Sequence, residues 1–85
     1  MSIKVKFFAA LADIVAHREM TLAPPKPASP LTVDKLYAYF AAQYPELSRY
    51  KKNLMFAING EFAVGDAEIK NGDEVAFLPP VSGGS

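Results

Sequence analysis

Few residues in this chain of 85 can do chemistry. There is no cysteine, so no thiol can act as a nucleophile and no thiolate can hold a metal. His17 is the single histidine, and at the end of a short helical pattern it reads as a solvated or capping side chain rather than a catalyst or ligand. Asp66, Glu68, Asp73 and Glu74 lie close in sequence, but they belong to turn segments and read as solvated carboxylates. Gly60, Gly65 and Gly72 read as turn residues and make no phosphate-cradling loop, and Lys51-Lys52 is too short a basic run for nucleic acid. By elimination, the distinctive chemistry belongs to the end of the chain, Phe77-Leu78-Pro79-Pro80-Val81-Ser82-Gly83-Gly84-Ser85.

A strand runs there into two prolines. Proline removes a backbone donor and fixes φ, so Pro79-Pro80 ends the strand and directs the chain outward stiffly, whereas Gly83-Gly84 lets an enzyme close around bare backbone. Fully extended, the stretch from Pro79 to Gly84 spans about 20 Å, long enough to enter a partner's active site. A carboxylate at Gly84 is inert until an acyl-adenylate is made from it with ATP, and a glycine acyl group is then the least hindered one to attack. A sulfur donor that displaces the adenylate leaves a thiocarboxylate; a lysine amine leaves a conjugated modifier. Gly-Gly-Ser is also common linker composition, and the Pro-Pro-Val lead-in is what argues for a dedicated tail.

The bulk properties suit such a carrier. Lysine plus arginine and aspartate plus glutamate number nine each, so the formal net charge is zero and long-range attraction to nucleic acid or an anionic membrane is not expected. No apolar run approaches the ~20 residues of a membrane span, and Met1-Ser2-Ile3-Lys4 opens a strand rather than a signal peptide, which makes the cytosol the expected compartment. Hydrophobic residues make up 51%, ample for one core in one small domain, 1–78, followed by the tail, 79–85.

The elements that must hold the tail can be placed by periodicity. Ile3, Val5 and Phe7 alternate with Lys4, Lys6 and Phe8 as in a strand with one face on a core. Leu11, Ile14 and Val15 recur at helical spacing between Ala9 and Ala16, and Arg18 to Leu22 reads as a second strand. Four prolines between Pro24 and Pro30 exclude helix and central strand, leaving a surface loop. Thr32 is the expected N-cap of the main helix, with Asp34 in its first turn. Val33, Leu36, Tyr37, Phe40, Ala41 and Tyr44 form its apolar face, and Pro45 stops it. Glu46 to Asn53 is an irregular connection anchored by Leu47. Leu54 to Ile58 and Glu61 to Val64 are a hairpin about Asn59-Gly60, the strongest turn signal in the chain. Ile69 tucks into the core, and Asn71-Gly72-Asp73 turns into a last strand, Glu74 to Leu78. The fold class is α+β, a mixed sheet of about five strands on one main helix with the first and last strands adjacent, for which a ubiquitin-like β-grasp is the simplest topology.

Strand parity adds an inference. If Ile3, Val5, Phe7, Phe56, Ile58, Val75 and Phe77 face the helix, then Phe8, Met55, Ala57, Ala76 and Leu78 face away, among Lys4 and Lys6. An open sheet face should be mostly polar, so an apolar cluster at the root of the tail reads as a protein-docking patch centred on Phe8 and Leu78.

Ile3-Lys4-Val5-Lys6-Phe7-Phe8-Ala9, Asn59-Gly60, and above all the run from Asn71 through Gly72-Asp73-Glu74-Val75-Ala76-Phe77-Leu78-Pro79-Pro80-Val81-Ser82 to Gly83-Gly84 resemble the small, sulfur-carrying subunits of molybdopterin synthase. The resemblance covers nearly the whole chain, and its Pro-Pro-Val lead-in sets it apart from thiamine-pathway carriers. It implies a β-grasp fold and a non-catalytic, sulfur-donating subunit of a transferase complex. It implies that Gly84, next to Gly83, is adenylated by an ATP-dependent activating enzyme and thiocarboxylated by a sulfur donor protein, the carrier itself binding no cofactor or metal. The tail, Pro79, Pro80, Val81 and Ser82 included, would enter the large subunit, where sulfur passes to a cyclic pyranopterin precursor of the molybdenum cofactor. Two small subunits would sit at opposite ends of a large-subunit dimer, with Phe8 and Leu78 in the interface.

Two features depart from that pattern. Ser85 follows Gly84, which leaves Gly84 without a free carboxylate unless Ser85 is trimmed or is an added residue; otherwise this copy is not a competent carrier. The loop from Pro24 to Pro30 is longer than the usual connection. Three other readings stay open: a carrier of the same chemistry for a tungsten-pterin, thiazole or thiolated tRNA; a ubiquitin-like binding or modifying module that transfers no sulfur; and a polyproline ligand in the Pro24 to Pro30 loop.

Overall fold

The computed structural model describes residues 2–23 and 30–79, apart from the side chains of 51–53; most of the proline-rich loop and the tail from Pro80 to Ser85 therefore lie outside the described residues. In chain order the elements are β1 (Ile3–Phe7), α1 (Ala10–Val15), β2 (Glu19–Leu22), α2 (Val33–Gln43), a 3-10 helix (Pro45–Asn53), β3 (Met55–Ile58), β4 (Glu61–Ala63) and β5 (Glu74–Leu78). The strands form one sheet in the order β2-β1-β5-β3-β4. β1 and β5 run parallel, Val5 opposite Val75 and Phe7 opposite Phe77, and every other pairing is antiparallel. Five mixed strands curled around one helix are the β-grasp arrangement expected from the element order, with the first and last strands paired. Among the described residues no helix is long and apolar enough to cross a membrane.

Alternation decides which face of the sheet is covered. Ile3, Val5, Phe7, Val75 and Phe77 are buried and meet Val33, Leu36, Tyr37 and Phe40, the apolar stripe of α2. Aromatic rings fill the space between. Phe77 touches four of them: Tyr37 at 5.2 Å, Phe7 at 5.6 Å, Phe56 at 5.7 Å and Phe40 at 6.3 Å between centroids. Most of these contacts are edge-to-face, the geometry that the ring quadrupole favours. Thr32 caps α2 as expected, its hydroxyl accepting from the Lys35 N–H at 3.3 Å. Leu11 and Val15 of α1 close one end of the core, and Ile69 closes another.

The segment expected as an irregular connection is instead a nine-residue 3-10 helix. Proline fits its first turn, where no N–H partner is needed. Leu47 is the expected anchor and is fully buried. Its carbonyl accepts the hydroxyl proton of Tyr37, so a buried polar pair joins the connection to α2. Burial, with Tyr50 nearby, pushes the Tyr37 hydroxyl up to about 12 from 10.0. A raised pKa favours the protonated form in the folded state. Stability from Tyr37 is therefore complete below pH 10 and is lost as the pH climbs through about 12. Tyr37→Phe should cost about 1–2 kcal/mol in urea unfolding at pH 7, because the Leu47 carbonyl loses its donor, and should flatten this alkaline loss.

Candidate docking face and the root of the tail

The outward face of the sheet follows from the register. Lys4 and Lys6 of β1, Glu74, Ala76 and Leu78 of β5, and Met55 and Ala57 of β3 alternate with the core residues, and Met55 pairs with Leu78 and Ala57 with Ala76. Phe8 continues β1 on this parity; its N–H donates to the Phe77 carbonyl at 3.2 Å, beside Leu78. The apolar cluster expected from parity is therefore assembled, with Phe8 43% and Met55 37% exposed and Leu78 half-buried. Pro79 is also half-buried, at the point where β5 ends. Pro80, Val81, Ser82, Gly83 and Gly84 lie outside the described residues.

The sequence reading missed Phe62. It pairs with Ala57 across the β3–β4 hairpin and so shares the outer face with Met55 and Leu78, 74% exposed. The signal was available: a two-residue turn at Asn59-Gly60 pairs Ile58 with Glu61, which puts Phe62 opposite the outward Ala57. Val64, 68% exposed, extends the same edge. A run of apolar side chains leads from Phe8, just past the end of β1, across three strands through Leu78 and Met55 to Phe62.

Charges occupy the other side of this face. Lys6 lies 3.4 Å from Glu74 and 4.0 Å from Glu19, and Lys4 lies 3.8 Å from Glu19. All are part-exposed and contribute little stability, but they leave the rim locally neutral. A cleft of about 480 Å³ opens beside Phe8, lined by Lys6, Asp13, Arg18 and Glu19; two cations and two carboxylates give it no preference for either sign of ligand.

The remaining candidates have structural roles or none. Asp73 accepts from the Lys70 N–H at 2.8 Å and from the Asn59 carboxamide at 3.0 Å, Glu74 pairs with Lys6, and Asp66 and Glu68 are exposed. His17 is exposed beyond the end of α1. Among the described residues no group of three histidine, cysteine, aspartate or glutamate side chains could hold a metal. Among the described residues the arrangement offers an apolar face beside the point where β5 ends, and no cluster of side chains fit for catalysis.

The sequence model of the ThiS family matches residues 5–84. The molybdopterin synthase sulfur carrier subunit of Chlamydomonas reinhardtii is 37% identical over 99% of this chain and 100% of its own length. That of Escherichia coli (strain K12) is 37% identical over 96% of this chain and 99% of its own length. Among solved structures, SAMP1 from Haloferax volcanii superposes with a TM-score of 0.78 at 28% identity, over 98% of this chain and 99% of that one.

Proposed function

The chain belongs to the ThiS family, and from that premise we propose that it is the sulfur carrier subunit of a molybdopterin synthase. The observation that carries this reading is the end-to-end match to relatives of that name. The docking face at the root of the tail supports it.

In this reading the reactive form ends at Gly84. An activating enzyme joins the Gly84 carboxylate to the phosphorus of AMP, releasing pyrophosphate from ATP. A persulfide on a sulfur donor then attacks the acyl carbon and AMP leaves; a second thiol reduces the resulting acyl disulfide, forming a disulfide with the donor sulfur and leaving the thiocarboxylate on Gly84. Docking by Phe8, Leu78 and Phe62 seats the β-grasp body on the large subunit, and Pro79 to Ser82 lead Gly83-Gly84 into its active site. There the thiocarboxylate sulfur bonds to a cyclic pyranopterin precursor, and water attacks the acyl carbon, breaking its bond to sulfur and regenerating the carboxylate. The body contributes placement and the tail contributes the acyl group; ATP is bound by the activating enzyme. Two carriers would serve a large-subunit dimer, one at each end.

Intact mass tests this directly. A chain ending at Gly84, incubated with a cognate activating enzyme, ATP and a sulfur source, should gain the mass difference of sulfur for oxygen and then support dithiolene formation with the large subunit. A mass that never changes refutes sulfur carriage and leaves the non-thiolating docking module. Gly84→Ala should fold with unchanged thermal stability while its activation falls about tenfold or more, because one added methyl must pass a channel fitted to bare backbone, where overpacking costs about 1–3 kcal/mol. A lowered melting temperature in that variant would mean the tail packs on the body.

The likeness to SAMP1, described as a small archaeal modifier protein, favours a second reading in which a lysine amine of another protein takes the activated acyl group. Isopeptide adducts at Gly84 would establish it.

A further inference from the structure

Charges beside the apolar face are matched in one group and left open in another. Lys4, Lys6, Glu19 and Glu74 pair among themselves, at 3.4 to 4.0 Å. Asp13 and Arg18 line the cleft beside Phe8 together with Lys6 and Glu19, Asp13 on α1 and Arg18 at the entry to β2, and both are exposed. Among the described residues neither Asp13 nor Arg18 makes an ion pair.

The wall that carries Asp13 is fixed in place. α1 has six residues, and an alanine stands at positive φ at each of its ends, Ala9 at 52° and Ala16 at 67°, a region that favours glycine. Such strain persists only where the surroundings over-determine it. Here the Leu11 N–H donates to the Phe8 carbonyl at 3.1 Å, the Ala12 N–H to the Ala9 carbonyl at 3.0 Å and the Ala16 N–H to the Ala12 carbonyl at 2.8 Å, while Leu11 and Val15 anchor the helix in the core. A preformed wall lowers the ordering cost of whatever docks against it.

The four charges of the cleft cancel, which disfavours a simple cation or anion and suits a surface bearing both signs. A second copy of the chain supplies that surface by symmetry. Across a two-fold axis a patch meets itself, so an unpaired acid and an unpaired base on the same patch satisfy each other twice. With nine basic and nine acidic residues, two copies do not repel at long range. Phe8, 43% exposed beside the cleft, is covered in the same event. We propose that this cleft is a self-association site, at which Asp13 of one copy pairs with Arg18 of the other, and Arg18 with Asp13, about a two-fold axis. The contact holds whether or not the chain carries sulfur. Where Phe8 also seats the large subunit, the dimer withholds it, a consequence that rests on the proposed function.

Sedimentation equilibrium of the full chain tests this over a concentration series at low and high salt. The chain should dimerise with a Kd of about 10⁻⁴ M at low salt, and more weakly as salt rises, because the pairs are exposed. D13K and R18E should each weaken the dimer about tenfold or more, since every reversal acts at two symmetric contacts, and D13K/R18E, with both signs exchanged, should recover it. Both positions are exposed, so melting temperatures should match that of the parent chain. A chain monomeric at every concentration overturns the proposal, as does a dimer that ignores both single reversals. A double variant as weak as the singles overturns the two-fold pairing. Loss of large-subunit affinity in D13K and R18E without any self-association assigns the charges to that partner and removes the self-association site; L78R measured beside them separates this result from a failure of docking itself.

Discussion

L78R should weaken binding to a cognate large subunit by about 2 kcal/mol or more, roughly 30-fold in Kd, with the melting temperature little changed. Leu78 faces outward, pairs with Met55 and sits beside Phe8, so the free protein can let an arginine at this position reach water while its stem covers the neighbouring apolar surface. In the complex that charge would be enclosed without a partner, which is the costly case. F62R should act in the same direction, since Phe62 extends the apolar run to the edge strand and is more exposed than any other large hydrophobic residue described. Tyr39 supplies the control. It is 43% exposed on α2, away from the outer face of the sheet, and a charge there should leave affinity unchanged. Calorimetric titration decides the matter: unchanged affinity in both L78R and F62R would remove this face from the interface, and a loss in Y39R equal to theirs would show that binding responds to charge and not to place.

F77A should destabilise the domain by about 3–5 kcal/mol, the usual cost of emptying a phenylalanine site in a core. The total available to a chain of this length is about 4–13 kcal/mol, so a sizeable unfolded population at 37 °C is expected. Phe77 is the common neighbour of Phe7, Tyr37, Phe40 and Phe56, which come from β1, α2 and β3, so no single side chain can relax into the space. Urea unfolding should show a lower midpoint at unchanged slope. A loss below about 1 kcal/mol would mean that the four rings close over the gap, and that shape matters less in this core than the edge-to-face contacts suggest.

Most of this was legible in the residues, for identifiable reasons. Strict alternation in β1 and β5 fixed their faces, and with them the docking cluster. The three- and four-residue steps from Val33 to Phe40, with Thr32 ahead and Pro45 behind, fixed α2. The hairpin was written in Asn59-Gly60, yet Phe62 went unassigned, because its face depends on its partner Ala57 and a lone apolar residue between Glu61 and Ala63 carries no period of its own. The 3-10 helix was illegible for a similar reason: Leu47 and Tyr50 pack on the core three residues apart, and two points are too few to define a repeat. The chemistry was legible only as a motif. In the proposed function no side chain performs it, and a backbone carboxylate leaves no mark in composition beyond the glycines that clear its way.

Pairing β1 with β5 has a consequence for how the protein is made. β1 must wait for β5 before its central partner exists, and contacts so distant along the chain are slow to form because the intervening loop must close first. A chain interrupted before residue 74 would lack the strand that joins the β1–β2 half of the sheet to the β3–β4 half, and with it Leu78 and the outer face. In the proposed function the partner's docking face would thus exist only on chains translated through Leu78, and shorter copies would expose unpaired sheet edges instead.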